Sequence, residues 1–150
     1  MNKEQIEGFA AEYALQSEFN YISVDDAITP ELAGVQMFDS PLVGYSSAAD
    51  PLYIKMKEPG VIGEHFRLPE EWLKEGKTVI SFFFPFTEAV RKSNIGGKQP
   101  SSLWLHGRIE GQRFLGEFAS SLAQAIIDDG GKAVVPVICP NLILTIRKRI

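Results

Sequence analysis

The sequence contains very few of the residues that build disulfide bonds and metal sites. Among 150 residues there are one cysteine, Cys139, and two histidines. A single cysteine excludes an internal disulfide, and with two histidines it provides no Cys-rich zinc or iron–sulfur site. We therefore expect this chain to supply no metal ligands and to hold no iron–sulfur cluster, and so no cofactor of that kind, of its own.

The sequence also lacks an excess of positive charge and any long apolar run. Its 15 Lys and Arg residues are outnumbered by 19 Asp and Glu residues, giving a formal net charge of -4, which argues against a dedicated nucleic-acid-binding protein. The longest strongly apolar runs, residues 79–86 and 133–139, are too short to span a bilayer. The polar residues 1–5 do not resemble a signal peptide. We expect a cytoplasmic protein with neither nucleic acid nor membrane as a partner.

The clearest predicted elements lie in the second half of the chain. Residues 78–84 form a nearly continuous apolar run that is typical of a buried strand, and residues 132–138 form another. Between them, residues 101–129 carry apolar side chains at helical spacing. This order predicts a βαβ unit with parallel strands. The expected fold class is therefore α/β, a mixed sheet with helices packed on it, in a single domain over residues 1–150.

Shorter signals predict three further helices. Residues 2–18 carry apolar side chains at helical spacing, with charged residues on the other face. Pro51 and Pro69 each stand where a helix begins, because proline suits the first helical position. Gly130 and Gly131 follow the long helix and are typical of a helix C-terminus.

The loop before the long helix invites comparison with a phosphate-binding loop. A P-loop requires glycine where Lys92 stands and Ser or Thr where Gln99 stands, so the motif fails at two positions. The segment can still bind an anion without being a P-loop. The free amides at the start of the predicted helix, with Ser101 as its cap and Lys98 nearby in sequence, can hold a negatively charged group. The alternative is that Ser101 only caps the helix.

Two other patterns have both a functional and a structural interpretation. Gly107 and Gly111 lie one turn apart inside the long helix, where each glycine costs about 1 kcal/mol relative to alanine. We expect a neighbouring strand, another backbone or a flat ligand to approach the helix closely there. Ser46 lies in a segment that resembles a nucleophile elbow, but Ala48 replaces the second glycine. The alternative is a strand end that turns through small residues.

Five segments together resemble a known family. They are residues 38–44 (FDSPLVG), 69–73 (PEEWL), 79–86 (VISFFFPF), 88–94 (EAVRKSN) and 100–112 (PSSLWLHGRIEGQ). Over roughly residues 36–140, the chain resembles the N-terminal half of epoxyqueuosine reductase-like iron–sulfur proteins, and it is most similar to a ferredoxin-like branch.

This resemblance implies an α/β domain that forms part of the corrinoid pocket in cobalamin-using members. In the family, a following ferredoxin-like part carries two 4Fe–4S clusters on C-x-x-C-x-x-C-x-x-x-C-P motifs, which a chain with Cys139 alone does not contain. We therefore expect a truncated family member, a piece of a longer one or a degenerate homologue. In each case the chain would correspond to the N-terminal, corrinoid-binding domain of an iron–sulfur oxidoreductase, which is not active alone. The alternative is a stand-alone, non-catalytic module that binds a ligand or forms a homodimer.

Six residues at the predicted loop and helix start are the candidates for cofactor binding. They are Arg91, Ser93, Asn94, Lys98, Ser101 and Arg108. Their expected role is to hold anionic parts of a corrinoid, or another small anionic ligand, through backbone amides and positive charge. No catalytic residue and no metal ligand is predicted.

Overall fold

Within residues 1–136, which are the residues that the computed structural model describes, the chain forms five α-helices and two β-strands. They are α1 (Lys3–Gln16), β1 (Leu42–Ser47), α2 (Leu52–Lys55), α3 (Pro69–Trp72), β2 (Thr78–Phe83), α4 (Glu88–Ser93) and α5 (Ser102–Asp128). The two strands pair in an antiparallel sheet. The chain is therefore a mixed α/β protein, as its sequence predicts.

The first strand and the long helix of the predicted βαβ unit are present. β2 and α5 each lie within two residues of their expected bounds. The second strand, expected over residues 132–138, is not found: residues 132–136 form no strand, and residues 137 and 138 lie outside the described part of the chain. One physical reason is Pro136, which has no backbone N–H to donate to a strand. Within the described residues, β2 pairs instead with the earlier strand β1.

The described chain divides into two compact units. The first contains Met1–Val43 and Phe82–Leu122, and the second contains Gly44–Ser81 and the chain from Ala123 onward. The single domain expected over residues 1–150 stays a prediction. None of the helices within the described residues combines the length and apolar character that crossing a membrane requires.

The core of the first unit is a cluster of phenylalanine rings. Phe114 and Phe118, one turn apart on α5, are almost completely buried. Both contact Phe84 edge-on, at centroid distances of 5.0 and 4.8 Å. Edge-to-face contacts at these distances are favourable because the positive edge of one ring meets the negative face of another. Phe84, the residue that follows β2, therefore packs against the apolar face of α5.

Two glycines of α5 let a second pair of rings approach the helix. A Cβ atom on Gly107 would lie 2.5 Å from Cε1 of Phe86, and one on Gly111 would lie 2.8 Å from the ring of Phe38. Phe38 and Phe86 face each other across an antiparallel bridge, and their rings stack at a centroid distance of 5.0 Å. The close approach predicted at these glycines is thus confirmed, and the neighbours are the rings of Phe86 and Phe38, which lie on two bridged extended segments.

Residues near the helix ends explain where α1 begins and where α5 ends. At the start of α1, the Asn2 side chain accepts a hydrogen bond from the Gln5 amide while the Gln5 side chain accepts one from the Asn2 amide, which is a reciprocal cap. At the end of α5, Gly130 has a φ of 84°, and the Gly131 amide donates to the Ile126 carbonyl. This left-handed ending is the one that glycine favours.

Candidate functional site

Three of the six predicted binding residues meet where α4 leads into α5. The hydroxyl oxygens of Ser93 and Ser101 are 2.7 Å apart. The Ser101 amide donates to Oδ1 of Asn94 at 3.0 Å, and the Ser101 hydroxyl accepts from the Trp104 amide at 3.1 Å. We call Ser93, Asn94 and Ser101 the junction cluster. Its hydrogen bonds fix the direction in which α5 starts.

The local sequence explains why the junction forms. Thr87 caps α4 by accepting a hydrogen bond from the Val90 amide, and α4 ends at Ser93, whose hydroxyl also donates to the Val90 carbonyl. Gly96 has a φ of 80°, a conformation that glycine adopts without strain. This turn brings Ser101 back to the end of α4.

The three predicted cationic residues are not joined to the junction cluster. Arg91 donates to the Phe86 carbonyl and lies 3.8 Å from a carboxylate oxygen of Asp39, so its charge is used within the protein. Arg108 is exposed seven residues after Ser101, about 10 Å further along the helix axis. Lys98 is exposed in the connecting loop, and no ion pair within residues 1–136 holds it. Lys98 is therefore the available cation at the junction.

The junction offers an exposed surface rather than a pocket. Every residue from 91 to 100 is exposed, and Ser101 is half-buried. Small-molecule sites usually bury most of their ligand in a concave cavity, so these residues do not fit a corrin ring. The first-turn amides of α5 with Lys98 fit a single phosphate or carboxylate group, because helix starts favour anions.

An iron–sulfur cluster does not fit the described residues either. No group of three or more His, Cys, Asp or Glu side chains within residues 1–136 is arranged to hold a metal ion. Cys139, the cysteine of the sequence, lies outside the described residues.

His106 is a buried polar residue that the sequence analysis did not assign to a site. Its side chain is 2% exposed; Nε2 accepts a hydrogen bond from the Ile28 amide, and Nδ1 lies 3.0 Å from a carboxylate oxygen of Glu110. Because Nε2 must accept, the ring proton resides on Nδ1 and is donated to Glu110. Both ring nitrogens are thus used within the fold. The spacing of four residues between His106 and Glu110 was the available sequence signal.

Ser46, the residue of the possible nucleophile elbow, lies in the second unit. Its hydroxyl is 2.7 Å from the Tyr53 hydroxyl. No hydrogen bond within the described residues joins Ser46 to a histidine or carboxylate, which a serine nucleophile requires for activation. The structure therefore places Ser46 in a local contact between a strand and the following short helix.

A groove of about 500 Å³ lies along the second half of α1 and the turn that follows it. Its lining includes three aromatic rings, two carboxylates and an amide: Phe9, Tyr13, Phe19, Glu12, Glu18 and Gln16. None of the six predicted binding residues contributes to it. The available sequence signal was the spacing of residues 9, 12, 13 and 16, which places them on one helix face.

Comparisons with known proteins give no relative: no protein-family model, no curated protein and no solved structure matches the chain. The resemblance to epoxyqueuosine reductase-like proteins therefore stays a prediction.

Proposed function

We propose that this chain is a binding domain that holds the phosphate or carboxylate group of a small ligand at the α4–α5 junction. The observation that carries the proposal is the junction cluster, which fixes the first turn of a 27-residue helix that begins four residues after the exposed Lys98. A helix of this length carries a partial positive charge at its start, and its first amides point outward.

The geometry favours a small anionic group for two reasons. The Ser101 hydroxyl already accepts from the Trp104 amide, so the amides of Ser102 and Leu103 are the remaining donors of the first turn. The surrounding loop is exposed, so only one charged group of a ligand would be held, with the rest in solvent. Arg91 and Arg108 are not part of this proposed site.

We further propose that the domain belongs to an iron–sulfur oxidoreductase. The support is the sequence resemblance of residues 36–140, together with the α/β class that the chain shares with the expected domain. Because the described residues do not fit a cluster or a corrin ring, redox chemistry would be carried by other parts of such a protein. The contribution of this chain would be to hold an anionic ligand.

Calorimetry with inorganic phosphate tests the proposal. Lys98→Gln should weaken binding about fivefold, since one unit charge near an ion contributes about 1 kcal/mol in water. The matched control is Lys92→Gln, which removes the same charge from a residue that pairs with Glu88 on α4 and should change affinity less than about twofold. Equal losses in both variants, or no binding by the unaltered chain, would disprove the assignment.

A second candidate is a homodimerisation module. Leu42 at the start of β1 and Phe83 at the end of the antiparallel strand β2 are 67% and 62% exposed, and contiguous exposed apolar surface often marks a protein contact. Sedimentation equilibrium should then show a dimer that resists dilution, and Phe83→Ser should convert it to a monomer. A monomer at all concentrations would eliminate this candidate.

A further inference from the structure

We infer that His106 is a pH-sensitive latch: its neutral ring holds the loop of residues 23–33 against α5, and its protonated ring releases that loop. Three features meet at this side chain, namely a loop closed at its base, a buried ring nitrogen that accepts a hydrogen bond from the loop, and a carboxylate on the other ring nitrogen. The latch is independent of the proposed anion site, because no residue of the junction cluster takes part in it.

Residues 23–33 form a loop whose two ends are fixed. The Ile22 amide donates to the Val35 carbonyl at 3.0 Å, and the Gly34 amide donates to the Ile22 carbonyl at 2.7 Å. The loop also contains hydrogen bonds of its own near its start and near its end. Such a segment can move as a unit while the backbone at its base stays paired.

Within residues 1–136, the hydrogen bond that joins this loop to α5 depends on an unprotonated nitrogen. The Ile28 amide donates to Nε2 of His106 at 3.2 Å, and the His106 side chain is 2% exposed. A neutral imidazole can accept there, whereas a protonated imidazole carries a hydrogen on both nitrogens. Protonation would leave two N–H groups facing each other without an acceptor, which is costly in a buried position. The loop must therefore leave the ring when Nε2 gains a proton.

The carboxylate of Glu110 favours the protonated ring. It lies 3.0 Å from Nδ1 of His106, and the Glu110 side chain is 26% exposed. Because Nδ1 carries a hydrogen in both states, this hydrogen bond survives protonation and gains the attraction between opposite charges. In the open form, Nε2 would donate to water. Acid therefore shifts the equilibrium toward the open form, since that form binds the additional proton.

The other charged groups close to the latch are exposed. Those of the loop are all acidic: Asp25, Asp26 and Glu31. The Asp26 carboxylate accepts a hydrogen bond from the Ser23 hydroxyl at 2.7 Å, so it is used within the loop. On α5, Arg108 and Arg113 are exposed on the turns that flank Glu110. Interactions between exposed charges are weak in water, so they do not replace the lost hydrogen bond.

An NMR pH titration of the 15N-labelled full chain tests the latch. Between about pH 8 and pH 5, where imidazoles commonly titrate, the protection factor of the Ile28 amide should fall at least about tenfold as His106 gains its proton. The Ile22 amide, which donates to a backbone carbonyl, should keep its protection and serves as the internal control. Protection of Ile28 that persists while His106 titrates would overturn the inference. A ring that stays neutral down to about pH 5, or equal losses at both amides, would also overturn it.

Three substitutions separate a latch from a purely structural histidine. His106→Gln keeps an oxygen that can accept from the Ile28 amide but does not titrate, so the protection of Ile28 should no longer depend on pH. Glu110→Gln keeps an acceptor for Nδ1 but removes the charge, so the loop should open only at lower pH. The matched control is Glu117→Gln, which removes the same charge from an exposed position two turns further along α5 and should leave the pH of opening unchanged. Equal shifts in the two glutamate variants would overturn the inference.

Discussion

Gly107→Ala should destabilise the protein, although alanine is the better helix former. The added Cβ would lie 2.5 Å from Cε1 of Phe86 and 3.2 Å from two further atoms of that ring. Phe86 cannot withdraw freely, because its other contacts include the stacked ring of Phe38. Either the helix or the ring pair must therefore move.

The magnitude follows from two opposing effects. Replacing glycine by alanine inside a helix gains about 1 kcal/mol, whereas forcing an extra carbon into a packed core typically costs about 1–3 kcal/mol. A contact at 2.5 Å lies far inside van der Waals distance, so we expect the upper part of that range. The net loss in the free energy of unfolding should be about 2 kcal/mol.

Gly116→Ala is the matched control, because Gly116 lies on the same helix with no atom within 4 Å of an added Cβ. This variant should instead be stabilised by up to about 1 kcal/mol. Urea denaturation of the three proteins would measure both values. If Gly107→Ala proved as stable as Gly116→Ala, the packing of Phe86 on α5 would be refuted.

Three further predictions concern buried hydrogen bonds and one exposed carboxylate. His106→Ala should lower the free energy of unfolding by about 3 kcal/mol, because it leaves the Ile28 amide without its acceptor and opens a cavity; an unchanged urea midpoint would contradict this. Asn20→Ala should cost at least about 3 kcal/mol, since the fully buried amide donates to two carbonyls and accepts from one amide; a loss below 1 kcal/mol would contradict it. Hydrogen bonding from the Leu68 amide lowers the pKa of Glu71 in the folded protein. The ionised Glu71 carboxylate therefore stabilises the fold at pH values above its unfolded-state pKa, and this stabilisation is lost as the pH falls through the lowered folded-state pKa. Glu71→Gln should therefore lower the Tm more at pH 7 than at pH 3, and a constant difference would refute the linkage.

The spacing of apolar residues in the sequence was sufficient to predict α1, α5 and β2. α1 and α5 were recognisable because their apolar residues recur at helical spacing, and the end of α5 was also marked by Gly130. β2 was recognisable as a short apolar run. These features are set by residues close together in sequence, so one chain suffices to find them.

Pairing between distant segments was not visible in the same way. The apolar run from residue 132 suggested a second strand, yet β2 pairs with β1, and residues 132–136 form no strand. An apolar run shows that a segment is suited to burial, but it does not specify its partner. Likewise, Gly107 and Gly111 indicated a close approach without identifying Phe86 and Phe38.

The candidate site was only partly predictable, because contacts between residues distant in sequence leave no pattern in the sequence. Hydrogen bonds bring Ser93, Asn94 and Ser101 together, because a helix start gathers polar residues that are near in sequence. Arg91 and Arg108 were grouped with them by charge alone, and charge does not determine where a long side chain points. The groove along α1 depends on Phe19 after the helix end, so helix periodicity gave only part of it.

The most direct test of whether the start of α5 binds an anion is to map by NMR which amides of the full chain shift when inorganic phosphate is added. If the start of α5 binds an anion, phosphate should cause saturable shifts of the Ser102 and Leu103 amides and smaller shifts in the loop around Lys98. Saturable shifts that avoid this junction, or shifts spread evenly over basic residues along the chain, would contradict the proposal that the start of α5 is an anion site.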